Sequence, residues 1–230
     1  MDGNGRWAKA RRLPRSAGHI AGAKRVQPVL EALRRRGVHH VTLYAFSTEN
    51  WKRPKEEVDG IMNLVYKYLD EVVKKMILTD KSFSMKFIGD LSALPEQLRN
   101  KCLEIEELAR DREFVCNLAI NYGGRDEIVN AANSAIRDGH TVLTKDILAK
   151  YMYTSASPDP DLVIRTGGDF RVSNFLLWQS AYSEYYITDT LWPDFDEAAV
   201  NAAIDSYGTR ERRYGGIGKD TSETNMQKEG

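Results

Sequence analysis

With 230 residues, 33 of them basic and 33 acidic, the chain carries no formal net charge, so no global field draws it to nucleic acid or an anionic membrane. That length fits one domain, with or without a polar tail. Cys102 and Cys116 sit in apolar surroundings as reduced core thiols do, and neither a signal peptide nor an apolar run of spanning length is present, so a cytoplasmic protein is expected. The basic residues are unevenly placed: Arg6, Lys9, Arg11, Arg12 and Arg15 crowd the start, and Arg210, Arg212 and Arg213 lie near the end. Local clusters in a neutral chain suit small anionic ligands better than a polymer.

The chain opens on Met1-Asp2-Gly3-Asn4-Gly5-Arg6-Trp7. Gly3 and Gly5 can take positive φ and Asn4 tolerates it, so a turn here can aim consecutive N–H groups at one anion. Arg6 adds a planar fork suited to phosphate, and Asp2 a hard oxygen ligand suited to Mg2+. The alternative is a plain Gly-Asn turn with a solvated Asp and Arg. A basic, Pro-containing segment from Lys9 to Gly18 leads past His19 to Gly22 and a helix ending at Arg36, with Val26, Val29, Leu30 and Leu33 on one face and Gly37 as its stop. Val41 to Phe46 reads as a buried strand that ends in the polar loop Ser47-Thr48-Glu49-Asn50-Trp51. Pro54 opens a helix with apolar positions recurring from Val58 to Met76, its Glu56 and Glu57 complementing the helix dipole. Met85 to Ile88 is a second strand, and Pro95 opens a helix through Leu108. Phe114 to Ile120 is a third strand, leading into Asn121-Tyr122-Gly123-Gly124-Arg125 and a helix over Ile128 to Ile136. Asp161 to Ile164 is a fourth strand, ending in Arg165-Thr166-Gly167-Gly168-Asp169. Residues 218–230 are polar without periodicity, so the domain is expected over 1–217 and a disordered tail beyond it.

Strands alternating with helices indicate a single α/β domain whose central, mostly parallel sheet is flanked by helices. The polar loops that follow its strands would share the edge at which such sheets bind ligands. A loop like residues 2–6 ordinarily follows a strand, yet none precedes Met1. A first strand missing from this chain is therefore expected, because without it two sheet edges would lie open. Arg165, Arg171 and Ser173 could hold a second diphosphate, or else form surface ion pairs of little worth. His19 reads as an acid or phosphate ligand or as a structural histidine, and the Val58–Met76 stripe as plain core or as the wall of a ligand tunnel. No metal-binding His/Cys spacing, G-x-S-x-G elbow, Walker loop or dinucleotide G-x-G-x-x-G is present, which speaks against a generic nucleotide-binding protein.

Taken together, Met1 to Lys9, Gly18-His-Ile-Ala-Gly22, Tyr44 to Pro54, Asn121 to Arg125 and the run from Asp161 to Asp196 resemble the cis-prenyltransferase family, in order and at matching spacings over residues 1–217. The resemblance points to its bacterial undecaprenyl diphosphate synthase (isoprenyl transferase) branch, whose chains begin with a strand reading into Met-Asp-Gly-Asn-Gly-Arg. It implies sequential condensation of isopentenyl diphosphate onto an allylic diphosphate, usually farnesyl diphosphate, with new cis double bonds. The product would be a polyprenyl, undecaprenyl-length diphosphate for cell-wall lipid carrier synthesis. A product of other length, or a non-catalytic partner subunit of a heteromer, is the alternative.

By the same resemblance, Asp2 would hold Mg2+ and help the allylic diphosphate leave. Gly3, Asn4, Gly5, Arg6, Trp7, Arg15, His19, Trp51 and Arg53 would surround that diphosphate and its prenyl chain. Arg165, Arg171 and Ser173 would hold isopentenyl diphosphate, with Glu184 completing the Mg2+ site. Ser47 and Asn50 would orient the homoallylic substrate and assist proton removal. The Val58–Met76 helix and the strand around Leu118 would wall an apolar tunnel. Tyr182 to Thr188 and Arg210 to Gly216 resemble a dimer-contact region, implying a homodimer whose membrane contact is at most peripheral, through the lipid product. Two departures stand out. Asp169-Phe170 replaces the Glu followed by Gln, His or Leu that bacterial members commonly carry, which puts metal contacts near Arg171 in question. Position 126 is Asp where a small or aromatic residue is frequent.

Overall fold

The structure, a computed structural model, describes residues 1–110 and 112–209, with backbone alone at Val72. The polar tail and the Arg210–Gly216 segment lie outside the described residues. In chain order the elements are α1 (Asn4–Ala10), α2 (Arg15–Arg35), β1 (His40–Ser47), a 3₁₀ turn (Thr48–Lys52) and α3 (Lys55–Tyr68). A π turn (Leu69–Val73) joins α3 to α4 (Lys74–Thr79). Then come β2 (Phe83–Ile88), α5 (Glu96–Leu108), β3 (Phe114–Tyr122), α6 (Gly124–Arg137), α7 (Lys145–Tyr151), β4 (Leu162–Arg165), β5 (Glu184–Ile187) and α8 (Glu197–Gly208).

Every strand pairing is parallel, as the alternation of strands and helices requires. β3 lies between β1 and β2 and is buried along almost its whole length, as a central strand is. Alternation along β3 sends Cys116, Leu118 and Ile120 into the main core, while Ala119 joins a smaller cluster with Ile88, Tyr122 and Leu176. Helical spacing brings Val26, Val29, Leu30 and Leu33 of α2, Val58, Ile61 and Met62 of α3, and Leu98, Cys102 and Ile105 of α5 onto the main cluster. Burial pushes both cysteine thiols up to about 12, so they remain protonated core groups.

The sheet is divided. β4 pairs only with β5, in a ladder separate from β1-β3-β2 among the described residues. Residues of β1 and β4 line one cavity of about 1690 Å³, which also receives Met1 and Asp2. β5, α7 and α8 have no counterpart in the sequence reading. The four-residue β5 is too short to show a periodicity, and α7 spans only two turns.

The opening stretch differs from the expected loop. Gly3 alone takes positive φ (109°), and Asn4 already begins α1. Pro14 then starts α2 at Arg15, its fixed φ suiting a helix entry, so Gly18 and Gly22 lie inside α2 rather than ahead of it. Their spacing puts both on the face that meets α1. A Cβ on Gly18 would stand 2.0 Å from the Asn4 carbonyl oxygen, and one on Gly22 would stand 2.3 Å from Asn4 Oδ1. Gly18→Ala should therefore push α1 off α2, costing about 1–3 kcal/mol as overpacking does. Thermal unfolding should show it as a drop of several degrees; an unchanged midpoint would mean that α1 shifts freely.

Candidate active site

Parallel strands turn their carboxyl ends the same way, so the loops after β1, β3 and β4 are the natural site builders. Among the predicted residues, Asp2, Gly3, Asn4, Gly5, Arg6, Arg15, His19, Ser47, Asn50, Arg53, Arg165, Arg171 and Ser173 all line the large cavity. Trp7, Trp51 and Glu184 are not among its lining residues. Trp7 Nε1 donates instead to Asp194 Oδ1 at 2.7 Å, with Arg11 over its ring at 4.1 Å. Trp51 packs edge-on against Phe46 and donates to Asn121 Oδ1 at 2.7 Å. Glu184 begins β5 opposite Leu162, whereas Arg165 stands opposite Ile187. Three positions of strand rise, roughly 10 Å, thus separate Glu184 from the Arg165 end.

Two charged clusters face the cavity. The first gathers on Glu57 of α3, which the sequence reading took only as a complement to the helix dipole. Its Oε1 lies 3.0 Å from Arg15 Nε, 3.1 Å from Arg53 Nη1 and 3.4 Å from His19 Nε2. A carboxylate so placed keeps two guanidinium groups together without mutual repulsion dispersing them. The second gathers at the end of β4. Arg165 Nη2 lies 3.1 Å from Asp2 Oδ2, its Nη1 donates to Ser173 Oγ at 2.8 Å, and the Arg171 carbonyl also accepts from it. Arg6 donates to the Gly167 carbonyl at 2.6 Å and stands 3.5 Å from both Asp2 and Asp169. Arg171 Nη2 reaches Asp169 Oδ2 at 2.8 Å. Asp169 thus shares both Arg6 and Arg165 with Asp2.

Asp2 is anchored by its backbone. Its N–H donates to Thr166 Oγ1, the Thr166 hydroxyl donates back to its carbonyl, and the Trp192 N–H does the same. Thr166 was missed by sequence reasoning although it adjoins Arg165; only long-range packing gives it a role. Burial pushes the Asp2 carboxyl up, but Arg6, the Gly3 N–H and Arg165 outweigh it and hold the group below the usual carboxylate range. Ser47 and Asn50 form a reciprocal cap on the 3₁₀ turn, the Ser47 N–H donating to Asn50 Oδ1 at 3.2 Å. The segment after Ser173 is braced by buried Glu127, which accepts from the Tyr122 hydroxyl, the Tyr153 N–H and Gln179 Nε2.

Burial lowers the His19 pKa from its ordinary 6.5, with Arg53 and Arg15 adding to it and Glu57 opposing. His19 is therefore neutral in the folded chain at neutral pH, while the unfolded chain takes up a proton near 6.5. Folding stability should accordingly fall as pH drops below that value, with His40, also lowered by burial, contributing in the same direction. His19→Asn should flatten the dependence in denaturant titrations between pH 7 and pH 5; an unaltered slope would show that His19 does not carry it.

The acidic oxygens fit a magnesium ion. Asp2 and Asp169 keep 40% and 29% of their side-chain surface open and both lie against Arg165. No group of three metal-binding side chains exists among the described residues, and Mg2+ is commonly held by one or two carboxylates plus substrate phosphate oxygens.

Comparison with known proteins agrees with this geometry. The family model described as "Putative undecaprenyl diphosphate synthase" matches residues 1–215. An isoprenyl transferase of Fusobacterium nucleatum is 50% identical over 218 residues, covering 94% of each chain. One from Streptococcus pneumoniae is 46% identical, covering 94% of this chain and 90% of its own. Among solved structures, lavandulyl diphosphate synthase from Lavandula x intermedia, in complex with dimethylallyl diphosphate, superposes with a TM-score of 0.88 at 34% identity, covering 94% of this chain and 95% of its own. A "probable undecaprenyl diphosphate synthase" from Campylobacter jejuni gives 0.77 at 37% identity, covering 85% and 92%. The chain belongs to the undecaprenyl diphosphate synthase family, the cis-prenyltransferases.

Proposed function

We propose that the protein condenses isopentenyl diphosphate repeatedly onto farnesyl diphosphate, making a cis-polyprenyl diphosphate of undecaprenyl length. The observation that supports it most directly is the pairing of Asp2 with Arg165 at 3.1 Å, on the same cavity as the Arg15–Glu57–Arg53 cluster. Two anion sites with a carboxylate between them suit two diphosphates, only one of which must leave.

Arg6, Arg15, Arg53 and His19 would take the allylic diphosphate, with Gly3, Asn4 and Gly5 forming the backbone around it. As the allylic C–O bond breaks, the electron pair stays with the diphosphate, and fixed cations lower the cost of that charge. Arg165, Arg171 and Ser173 would hold isopentenyl diphosphate so that its double bond faces the developing allylic cation. A C–C bond forms there, and a proton lost from the new unit restores a double bond. Ser47 and Asn50, on the turn after β1, would orient the acceptor for that loss. Asp2, with Asp169 beside it, would hold Mg2+; when bound, the ion neutralises charge on the departing diphosphate. The lengthening chain would run along apolar residues of the cavity such as Leu33, Leu43, Phe46 and Ile61. Of the tunnel walls expected from sequence, Val58, Met62, Leu69, Val73 and Leu118 are packed in the main core.

A homodimer in the cytoplasm, touching membrane only through its product, completes the proposal; no helix among the described residues is long and apolar enough to cross a membrane. The deciding experiment is incubation with farnesyl diphosphate, labelled isopentenyl diphosphate and Mg2+, followed by sizing of the lipid. Undecaprenyl-length product is expected. A product of another length would keep the cis-prenyltransferase reading and replace the undecaprenyl one, and no extension would favour a non-catalytic partner subunit.

A further inference from the structure

Between the two half-sites runs a set of contacts that neither diphosphate pocket requires. Ser173, Asn174 and Leu176 all take positive φ (53°, 61° and 45°), a conformation that Asn tolerates better than most residues. Asn174 Nδ2 donates to Glu49 Oε1 at 3.0 Å, its Oδ1 accepts from the Arg125 N–H at 2.9 Å, and its carbonyl accepts from the Gly124 N–H at 2.7 Å. Glu49 lies on the 3₁₀ turn that Ser47 and Asn50 cap. Alongside, Thr48 Oγ1 donates to Asp126 Oδ2 at 3.2 Å. A Cβ on Gly123 would stand 2.4 Å from Asp126 Oδ2, 2.8 Å from Asn174 Nδ2 and 2.9 Å from Thr48 Oγ1, so only glycine lets the three segments meet. Burial pushes the Glu49 carboxyl up, but Ser47, its own N–H, Asn174 and Lys52 outweigh it and keep the acceptor ionised at neutral pH.

We infer that Asn174, acting through Glu49, is a positioning residue that fixes the Ser47–Asn50 turn against the Arg171–Ser173 loop, so that the acceptor substrate held by one loop is presented correctly to the other. The inference rests on the prenyltransferase reading of both loops. The path runs from the capped turn that carries Glu49, through the Glu49–Asn174 hydrogen bond, and by one peptide bond to Ser173, which Arg165 links to Asp2. Asn174 and Glu49 themselves are outside the set of residues assigned to either diphosphate. A hydrogen bond to a charged group is also the kind whose loss is felt most.

The test uses four variants of the full chain: Asn174→Ala, Asn174→Asp, Glu49→Ala and Glu49→Gln. Asn174→Asp keeps tolerance of positive φ and an oxygen for the Arg125 N–H, but sets a second carboxylate against Glu49. Glu49→Gln keeps the accepting oxygen. Both Asn174 variants and Glu49→Ala should raise KM for isopentenyl diphosphate and lower kcat, together by roughly ten- to a hundredfold, the range expected for one charge-assisted hydrogen bond. Binding of farnesyl diphosphate, read calorimetrically without turnover, should stay unchanged, and Glu49→Gln, which keeps the accepting oxygen without its charge, should lose only part of what Glu49→Ala loses. The Asn174→Ala, Glu49→Ala double variant should lose no more than either single one. Amide hydrogen exchange supplies a readout free of activity: residues 48–52 should exchange faster in Asn174→Ala and no faster still in the double variant. Additive kinetic losses, or unaltered exchange at 48–52, would overturn the tie. A parent chain that extends no prenyl chain would overturn the functional reading alone, because the exchange arm would still report on the contact.

Discussion

Asp2→Ala is expected to lower turnover by about a thousandfold, the scale seen when a group that stabilises developing charge is removed, while farnesyl diphosphate still binds. The two halves of that expectation come from different parts of the residue. Its backbone is held by Thr166 and by the Trp192 N–H, so Gly3 keeps its shape and α1 its start when the side chain is cut away. Arg6 retains its bond to the Gly167 carbonyl and Arg165 its bond to Ser173. What disappears is the carboxylate facing Arg165, which on the proposed reading would be a magnesium ligand. Asp2→Asn should fail almost as completely, since the carboxamide matches the shape and lacks the charge. Single-turnover rates with labelled isopentenyl diphosphate, beside calorimetric binding of farnesyl diphosphate, measure the two halves separately. Normal turnover by Asp2→Ala would remove the metal role, and lost binding would make Asp2 a structural residue.

How far the sequence carried this site depends on how local each signal is. β1, β3 and the helices over Val26–Leu33 and Leu98–Ile105 are legible because burial imposes a period on them. Arg165 and Ser173 are legible because they flank glycines after an apolar run. Glu57 is a different case. Its place at the start of a helix has a sufficient local explanation, and only the folding of α2 against α3 brings Arg15 and His19 to it. Gly18 and Gly22 read as loop residues because glycine ordinarily weakens a helix, whereas here they permit α1 to lie against α2. Trp7 and Trp51, expected near the ligand, are not among the residues that line the cavity, and each turns its ring nitrogen to a protein acceptor. An aromatic next to a charged motif has two good uses, and the choice is made by residues far away in sequence, Asp194 and Asn121.

Arg165→Lys should raise KM for isopentenyl diphosphate and lower kcat, a combined loss of roughly a hundredfold, whereas Arg171→Ala should cost closer to tenfold and fall on KM. Both residues carry one positive charge near Asp169, so charge alone predicts equal effects. Their surroundings differ. The Arg165 side chain is 15% exposed and its fork is shared among Asp2, Ser173 and the Arg171 carbonyl, while Arg171 is 61% exposed and paired with Asp169. A planar fork can serve several acceptors at once, and an ammonium cannot keep the same geometry. Losing a mostly buried partner costs a few kcal/mol where an exposed pair costs about 1 kcal/mol or less, and the open side of Asp2 keeps the first figure toward its lower end. Arg165 Nε adds a further distinction, being a buried donor with no acceptor among the described residues. Such a donor carries an unmet cost in the free chain, and an anionic oxygen entering the cavity could meet it. Steady-state kinetics for both variants, with isopentenyl diphosphate varied at saturating farnesyl diphosphate, decide the matter. Equal losses would mean that the site senses only total charge. A larger loss at Arg165 that salt barely alters would place the organising contact at the end of β4, where strand geometry rather than a surface loop holds it.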